Sequence, residues 1–244
     1  MILDDFVMLG TAVPGGTATG MITVCSAGYS QELGELIRVY PLDMRAGFRR
    51  WENYQLPLRR NPKDSRRESW RLAGSPQLEA SAIGVVCKSD RLAHVDRFLV
   101  PSVAYLNERR ASLGIIRPHS MSLYLGDNDE RLPLLESVSL PGFERPTTPT
   151  RDRFYRVPRV KFDDDDGAHD TSLLEWGAFE FLRKHPTGDL HAAFRLGDPA
   201  REVRLLVGNL ARHRNAFIVI AILGFSVAGT ERAQMPLFDA ASSS

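Results

Sequence analysis

Cysteine is scarce in this sequence of 244 residues, which contains only Cys25 and Cys87. Two distant cysteines without a CxxC pair or a Cys/His zinc spacing exclude a disulfide framework and a zinc site, so we expect two reduced thiols. Long hydrophobic runs are also missing, because the longest, from Ala216 to Gly229, has fourteen residues and a membrane helix needs about 20. The first ten residues, MILDDFVMLG, have acids where a signal peptide has Lys or Arg. These absences predict a cytoplasmic protein without membrane attachment.

Signatures of catalysis are missing as well. The glycine-rich stretch at residues 11–20, TAVPGGTATG, is not followed by Gly-Lys-Ser/Thr or by a helical pattern, which excludes a phosphate-binding loop. The six histidines are scattered, and their positions support no Ser/His/Asp or Cys/His arrangement. The sequence therefore indicates binding more clearly than it indicates a reaction.

Charge is nearly balanced over the whole chain, which has 31 Lys/Arg and 30 Asp/Glu. Positive charge is concentrated in the segment from Met21 to Leu72, where residues 36–72 contain ten Lys/Arg and only four Asp/Glu. Five aromatic residues are interspersed with these cations. Cations combined with stacking rings are typical of a surface that binds nucleic acid. A solvated basic face over a half-buried sheet explains the same pattern and is the alternative.

Thirteen basic and aromatic residues of this segment are the predicted contacts to DNA or RNA. They are Arg38, Tyr40, Arg45, Arg49, Arg50, Trp51, Arg59, Arg60, Lys63, Arg66, Arg67, Trp70 and Arg71.

The hydrophobic pattern predicts a β-rich α+β fold. Short alternating runs separated by turns are typical of a small OB-like β-barrel or of a sandwich, and we expect one of these at the N-terminus, followed by an α+β half. We also expect a buried strand at residues 81–88 and a helix from residue 89 to about residue 99. The predicted division is a basic β-rich domain at 1–125, a loop or linker at 126–153, an α+β domain at 154–230 and a mobile tail at 231–244.

An acidic stretch offers the only clustered side chains of the metal-binding type. Asp165, Asp166 and His169 are candidate ligands for Mg²⁺ or Mn²⁺, and His169, Asp170 and Glu175 are candidate catalytic residues of a metal-dependent nuclease. The competing interpretation is an acidic turn that caps the N-terminus of a helix, where the dipole favours negative charge. The second interpretation is favoured because the spacing matches no known metal motif, so no cofactor is expected.

A series of short motifs runs along most of the chain: CSAGYSQELGELIRVYPL, DSRRES and ASLGIIRP, followed by the acidic turn and Glu175-Trp176. The series resembles a family of uncharacterised bacterial and phage proteins with CxAG, ExxRxYP, DxRxES and SLxxIxP motifs. In this chain Arg38 and Tyr40 occupy the second motif, and Asp64, Arg66, Glu68 and Ser69 occupy the third. The family has no settled activity, so the resemblance implies a bacterial or phage origin and no mechanism.

Near the C-terminus, residues 234–238 form the pentapeptide QMPLF, in which Gln234, Met235, Leu237 and Phe238 are the candidate contacts to a partner. It resembles the peptide by which bacterial replication and repair proteins bind the DNA sliding clamp, in which Leu and Phe fill an apolar pocket. A terminal strand that completes the core is the alternative.

These observations together predict a nucleic-acid-binding accessory protein of DNA metabolism or phage-host conflict, with the sliding clamp as a candidate partner. The alternatives are the nuclease and a structural subunit of a larger nucleoprotein complex.

Overall fold

A computed structural model describes residues 1–16, 22–43, 47–74, 82–128, 151, 154–211 and 213–227. Its N-terminal part is a closed β-barrel of five strands. The strands are β1 (Ile2–Thr11), β3 (Ile22–Ser30), β4 (Glu35–Asp43), β5 (Glu52–Arg60) and β6 (Ser69–Leu72), joined in the order β1-β3-β4-β6-β5 and closed by pairing of β5 with β1. Among these five strands as the structure describes them, only the β4–β6 pair is parallel. The prediction of a β-rich fold, with an N-terminal barrel or sandwich followed by an α+β half, is confirmed, and the N-terminal unit is the barrel.

Alternation of side chains explains the barrel interior. On β5, Tyr54, Leu56 and Leu58 point inward, while the residues between them face outward. The same alternation places Ile37 and Val39 of β4 inside. Together with residues of the other three strands they form one buried apolar cluster.

The C-terminal half contains two further sheets. One has the order β14-β13-β9-β8, with β8 (Leu99–Val100), β9 (Leu113–Ile116), β13 (Arg201–Asn209) and β14 (Phe217–Ser226). The other has the order β10-β11-β12, with β10 (Ser120–Asp127), β11 (Arg156–Asp164) and β12 (Gly167–Ser172). Four short helices accompany them: α1 (Arg91–Asp96), α2 (Val103–Glu108), α3 (Trp176–Lys184) and α4 (Leu190–Ala193).

The four-stranded sheet is covered on both faces. One face packs against the outside of barrel strands β1, β3 and β4, in a cluster that includes Leu9, Tyr29, Ile115 and Leu206. The backbones approach closely there, since a Cβ added to Gly10 would lie 2.6 Å from the Cβ of Ala221. The other face packs against the three-stranded sheet and helices α2 to α4. The barrel and the C-terminal half therefore share a continuous apolar interface.

Three sequence-based expectations differ from the structure. Residues 81–88 were expected to form a buried strand, but β7 (Ala82–Val85) is exposed at the edge of β5. The helix expected from residue 89 ends at Asp96, because the chain enters β8 at Leu99. The acidic residues were expected to cap the helix that follows them, but Asp165 and Asp166 form the tight turn between β11 and β12, and Asp164 instead accepts from the amide of Val103, the first residue of α2.

Strands β8 and β9 lie within residues 1–125, and β10 crosses residue 125. β8 pairs with β9, whereas β9 also pairs with β13 and β10 pairs with β11. A short strand β2 (Gly15–Gly16) pairs with β3.

Within the described ranges, no helix has the length and apolar content that crossing a membrane requires.

Candidate nucleic-acid interface

Strand β5 separates the predicted cations into two groups. Arg49 and Arg50 precede its first residue, and Arg59 and Arg60 are its last two. Eight residues of extended chain separate Glu52 from Arg60, which corresponds to about 27 Å at the usual rise per residue. The basic segment is thus not one surface, and its two ends have different surroundings.

At the first end, Arg50 and Trp51 belong to the contact with the C-terminal half. Arg50 Nη2 lies 2.6 Å from Oε1 of the buried Glu175, and Arg50 Nη1 donates to the Ile222 carbonyl at 3.2 Å. Trp51 is 8% exposed and packs edge-on against Phe225. Trp51 is therefore not accessible to a ligand, and Arg50, whose side chain is 29% exposed, is already paired within the chain, whereas Arg49 is exposed.

Arg38 is an interior residue. Although it faces outward from β4, it is 2% exposed because β9 and β13 cover it. Its Nη1 and Nη2 donate to the hydroxyl and carbonyl oxygens of Ser112 at 3.1 and 2.9 Å. Glu68 accepts from the Ser112 amide and hydroxyl at 2.9 and 2.7 Å, which completes the network. The prediction that Arg38 lies on an accessible basic face is corrected by this burial.

Arg66 is likewise committed to contacts within the chain. Its Nη2 lies 2.5 Å from Asp64 Oδ2, and its Nη1 donates to the Asn209 carbonyl at 2.7 Å. Ser69 Oγ also donates to Asp64, at 2.7 Å. Burial by itself would raise the pKa of Asp64, but the hydrogen bonds from Arg66 and Ser69 outweigh it and hold that pKa well below its usual value. Asp64 therefore stays ionised.

Cys25 lies beside this network, at a register shift in the β3–β4 pairing. Burial raises the pKa of its thiol more than the nearby Arg38 and Arg66 lower it. The thiol is therefore protonated at neutral pH, which makes it a poor nucleophile. Motif residues that are far apart in the sequence thus meet in one buried polar network.

The site prediction included only Arg38 and Arg66 of this network; Asp64, Glu68 and Ser69 were identified as motif residues, and Ser112 and Asn209 were not identified by number. Ser112 had a sequence signal, because it is the first residue of the fourth motif, SLxxIxP. No signal in the sequence identifies Asn209.

The second end of β5 is open. Arg59 pairs directly with Arg71 of β6, and both point away from the barrel interior. Among the described residues neither side chain has a carboxylate within ion-pair distance, and Nε of Arg71 is buried without a hydrogen-bond partner. Like charges directly opposite each other on a sheet repel, so this pair is unfavourable in isolation.

Tyr40 extends this pair to a third strand. Val39 of β4 pairs with Trp70 of β6 in parallel, so the next residues along the two strands, Tyr40 and Arg71, are neighbours. Tyr40 is 41% exposed. The side chains of Tyr40, Arg71 and Arg59 therefore form a row across β4, β6 and β5, which we call the open row.

Further cations surround the open row. Arg60 lies with its guanidinium carbon 3.7 Å from the ring centre of Trp70, which is 8% exposed, and donates to the Arg67 carbonyl. Lys63 is exposed in the turn between β5 and β6, and Arg67 forms an exposed ion pair with Glu35. Trp70 is thus a core residue that supports Arg60, rather than an exposed stacking ring.

Residues 4–93 match the family described as a domain of unknown function (DUF8758). The match covers the barrel and reaches α1. No curated protein matches the chain. An uncharacterised family is consistent with the resemblance found in the motifs, and the motif series itself stays a prediction.

The acidic stretch does not bring together the residues of the alternative metal site, Asp165, Asp166 and His169. Asp165 bonds to His119 Nε2 at 2.8 Å, Asp166 accepts from Ser102, and His169 Nε2 lies 2.9 Å from Asp164. Asp164 also accepts from the amide of Val103. Across the part of the chain that the structure describes, no three His, Cys, Asp or Glu side chains are grouped to hold a metal ion.

The candidate catalytic residues of the nuclease alternative are also separated. Asp170 bonds to Tyr124 and Arg159 on the outer face of the three-stranded sheet. Glu175 instead accepts from the Ile222 amide in the interface with the barrel. His169 stacks on Phe162. The geometry therefore does not join His169, Asp170 and Glu175 in one site.

Some predicted site residues lie outside the described residues. They are Arg45 of the predicted nucleic-acid contacts, and Gln234, Met235, Leu237 and Phe238 of the clamp-like peptide.

Proposed function

We propose that this protein binds nucleic acid through the open row and the cations around it, as an accessory factor of DNA metabolism or phage-host conflict. The observation that carries the proposal is the segregation of charge in residues 59–71, which contain six cations and two acids. Asp64 is paired with Arg66, and Glu68 is turned toward Ser112. Arg59, Arg60, Lys63 and Arg71 are left without an acidic partner among the described residues.

A bound phosphate backbone accounts for this arrangement. It supplies the negative charge that the opposed Arg59 and Arg71 lack, and guanidinium groups donate to phosphate oxygens in bidentate fashion. The barrel strands hold the two side chains on rigid backbone, which reduces the ordering cost of binding.

The test is a charge-removing double variant, Arg59→Gln with Arg71→Gln, measured by fluorescence anisotropy with labelled DNA and RNA at several salt concentrations. We expect weaker binding for all base sequences. The slope of log K against log salt should fall by about 0.7 to 0.9 for each phosphate that the variant no longer neutralises. The matched control is Arg97→Gln with Lys184→Gln, which removes the same charge from exposed cations elsewhere. Equal binding by the two double variants would overturn the proposal.

The proposal includes a tether to the bacterial sliding clamp through QMPLF. A linear peptide pays ordering entropy on binding, so a dissociation constant on the order of micromolar is expected. Leu237→Ala with Phe238→Ala should abolish clamp binding in surface plasmon resonance, while Asp239→Ala should leave it intact. Absence of clamp binding by the parent protein would remove this part of the proposal and leave the open row unaffected.

A further inference from the structure

The surface that an OB barrel ordinarily offers to a ligand is closed in this protein. Such barrels bind oligonucleotides on their second and third strands, which here are β3 and β4. The outer face of these strands is buried under β9, β13 and β14, with Ala27, Tyr29 and Leu36 in the shared apolar cluster. Within the described barrel, the outer surface at the far end of β4 and on β6 and β5 is not part of this apolar cluster and remains open to a ligand.

On that part we propose that the open row binds single-stranded nucleic acid in preference to duplex, with Tyr40 as the platform for one base. This inference rests on the proposed function and specifies its ligand. Of the five aromatic residues in the basic segment, Trp51, Tyr54 and Trp70 are buried, and Phe48 packs against Tyr54. Tyr40 alone among them is exposed, and its ring has no stacking, cation–π or hydrogen-bond partner among the described residues.

An exposed tyrosine ring can stack on the bases of a single strand but not on those of a duplex. In a duplex each base is stacked on its neighbours, so a protein ring on a convex surface reaches only the backbone. In a single strand the bases are free to stack on tyrosine, which contributes to binding with little dependence on base identity.

The dimensions of the row fit one strand. Neighbouring β-strands lie about 4.8 Å apart, so Tyr40, Arg71 and Arg59 span about 10 Å across three strands. Tyr40 lies at one end and the two guanidinium groups follow it in line. One stacked base and the phosphates next to it match this order. Contact with both backbones across a duplex groove requires two separated lines of cations, since the major groove is about 12 Å wide.

The experiment compares one labelled 12-mer as single-stranded DNA, as single-stranded RNA and as blunt DNA duplex, in anisotropy titrations with the whole chain. We expect both single strands to bind more tightly than the duplex. Tyr40→Leu, which keeps apolar bulk without a ring, should weaken single-strand binding by roughly 5- to 150-fold, and Tyr40→Phe should bind like the parent. Tyr155→Leu, at a tyrosine that is 63% exposed on the C-terminal half, is the matched control.

The outcomes separate this inference from the function on which it rests. Duplex binding equal to or tighter than single-strand binding, or equal affinities for Tyr40→Leu and Tyr155→Leu, would overturn the single-strand inference and leave nucleic-acid binding standing. No binding of any of the three probes would overturn both. A further expected signature is that Tyr40→Leu leaves the salt slope unchanged, because the ring neutralises no phosphate. Thermal melting verifies that each variant is folded.

Discussion

Arg38 and Arg71 lie on the outer surface of adjacent barrel strands, in the same basic segment, and their surroundings are opposite. Sheet β9-β13-β14 covers Arg38 and gives it Ser112 as a partner. Arg71 is only partly covered, with its Nε buried and without a hydrogen-bond partner among the described residues, and its cross-strand neighbour on β5 is another arginine, Arg59. The role of a cation in this segment depends on what packs over its strand. The covered face is expected to determine stability, and the open face to determine binding.

The largest effect is expected on the covered face. Arg38→Met keeps the aliphatic stem but leaves the Ser112 carbonyl with one donor fewer and Glu68 without a nearby buried positive charge. We expect the free energy of unfolding to fall by about 3 kcal/mol, measured by chemical denaturation. Arg71→Met is the control on the open face, and an equally large decrease there would contradict the division into two faces.

The Asp64→Asn variant tests the covered face through the pH dependence of the free energy of unfolding. The carboxylate has a pKa below its usual 3.8, so it stabilises the folded state fully above that value and loses this effect as the pH falls through the folded-state pKa. At pH 7 the variant should be less stable by about 2 kcal/mol. Below pH 3.8 the difference from the parent should shrink. A difference that stays constant down to about pH 2 would contradict the assignment.

Close packing around Arg38 gives a third test. A Cβ added to Gly208 would lie 2.7 Å from Ile220 Cδ1 and 2.8 Å from Arg38 Nη2, whereas one added to Gly84 on the exposed β7 meets nothing within 4 Å. We expect Gly208→Ala to lower the free energy of unfolding by about 1–2 kcal/mol, because an overpacked core forces side chains to shift. Gly84→Ala should change it little, and similar values for both would contradict the tight packing.

The smallest effect is expected on the open face, with the opposite sign. Arg59→Gln removes one of two like charges that face each other across β5 and β6. Stability at low salt should rise by about 0.3 kcal/mol, and the gain should decrease as salt screens the repulsion. Differential scanning calorimetry at two salt concentrations measures this. A destabilised Arg59→Gln variant would show that Arg59 has a structural role.

Sequence reasoning located the barrel strands well because alternation of apolar and polar residues is a local property. It failed where burial depends on distant segments. The apolar residues of β7 suggested a buried strand, yet Ile83 and Val85 are 57% and 62% exposed at a sheet edge. The candidate site was predicted in part: the basic segment contains the open row, but Arg38, Arg50 and Arg66 looked the same in sequence as Arg59 and Arg71.

Local pattern and composition were enough to predict the β-rich fold, the local excess of positive charge and the motif residues, whereas the choice between a barrel and a sandwich required the pairing of β5 with β1. The tertiary structure alone decided which cations are open to a ligand. That choice depends on the packing of residues 113–116, 201–209 and 217–226 over β3 and β4. Contacts between distant segments, such as Arg38 with Ser112 across 74 positions, are not encoded in any local pattern. They form because burying the apolar faces of two sheets together brings the polar residues at their margins into contact.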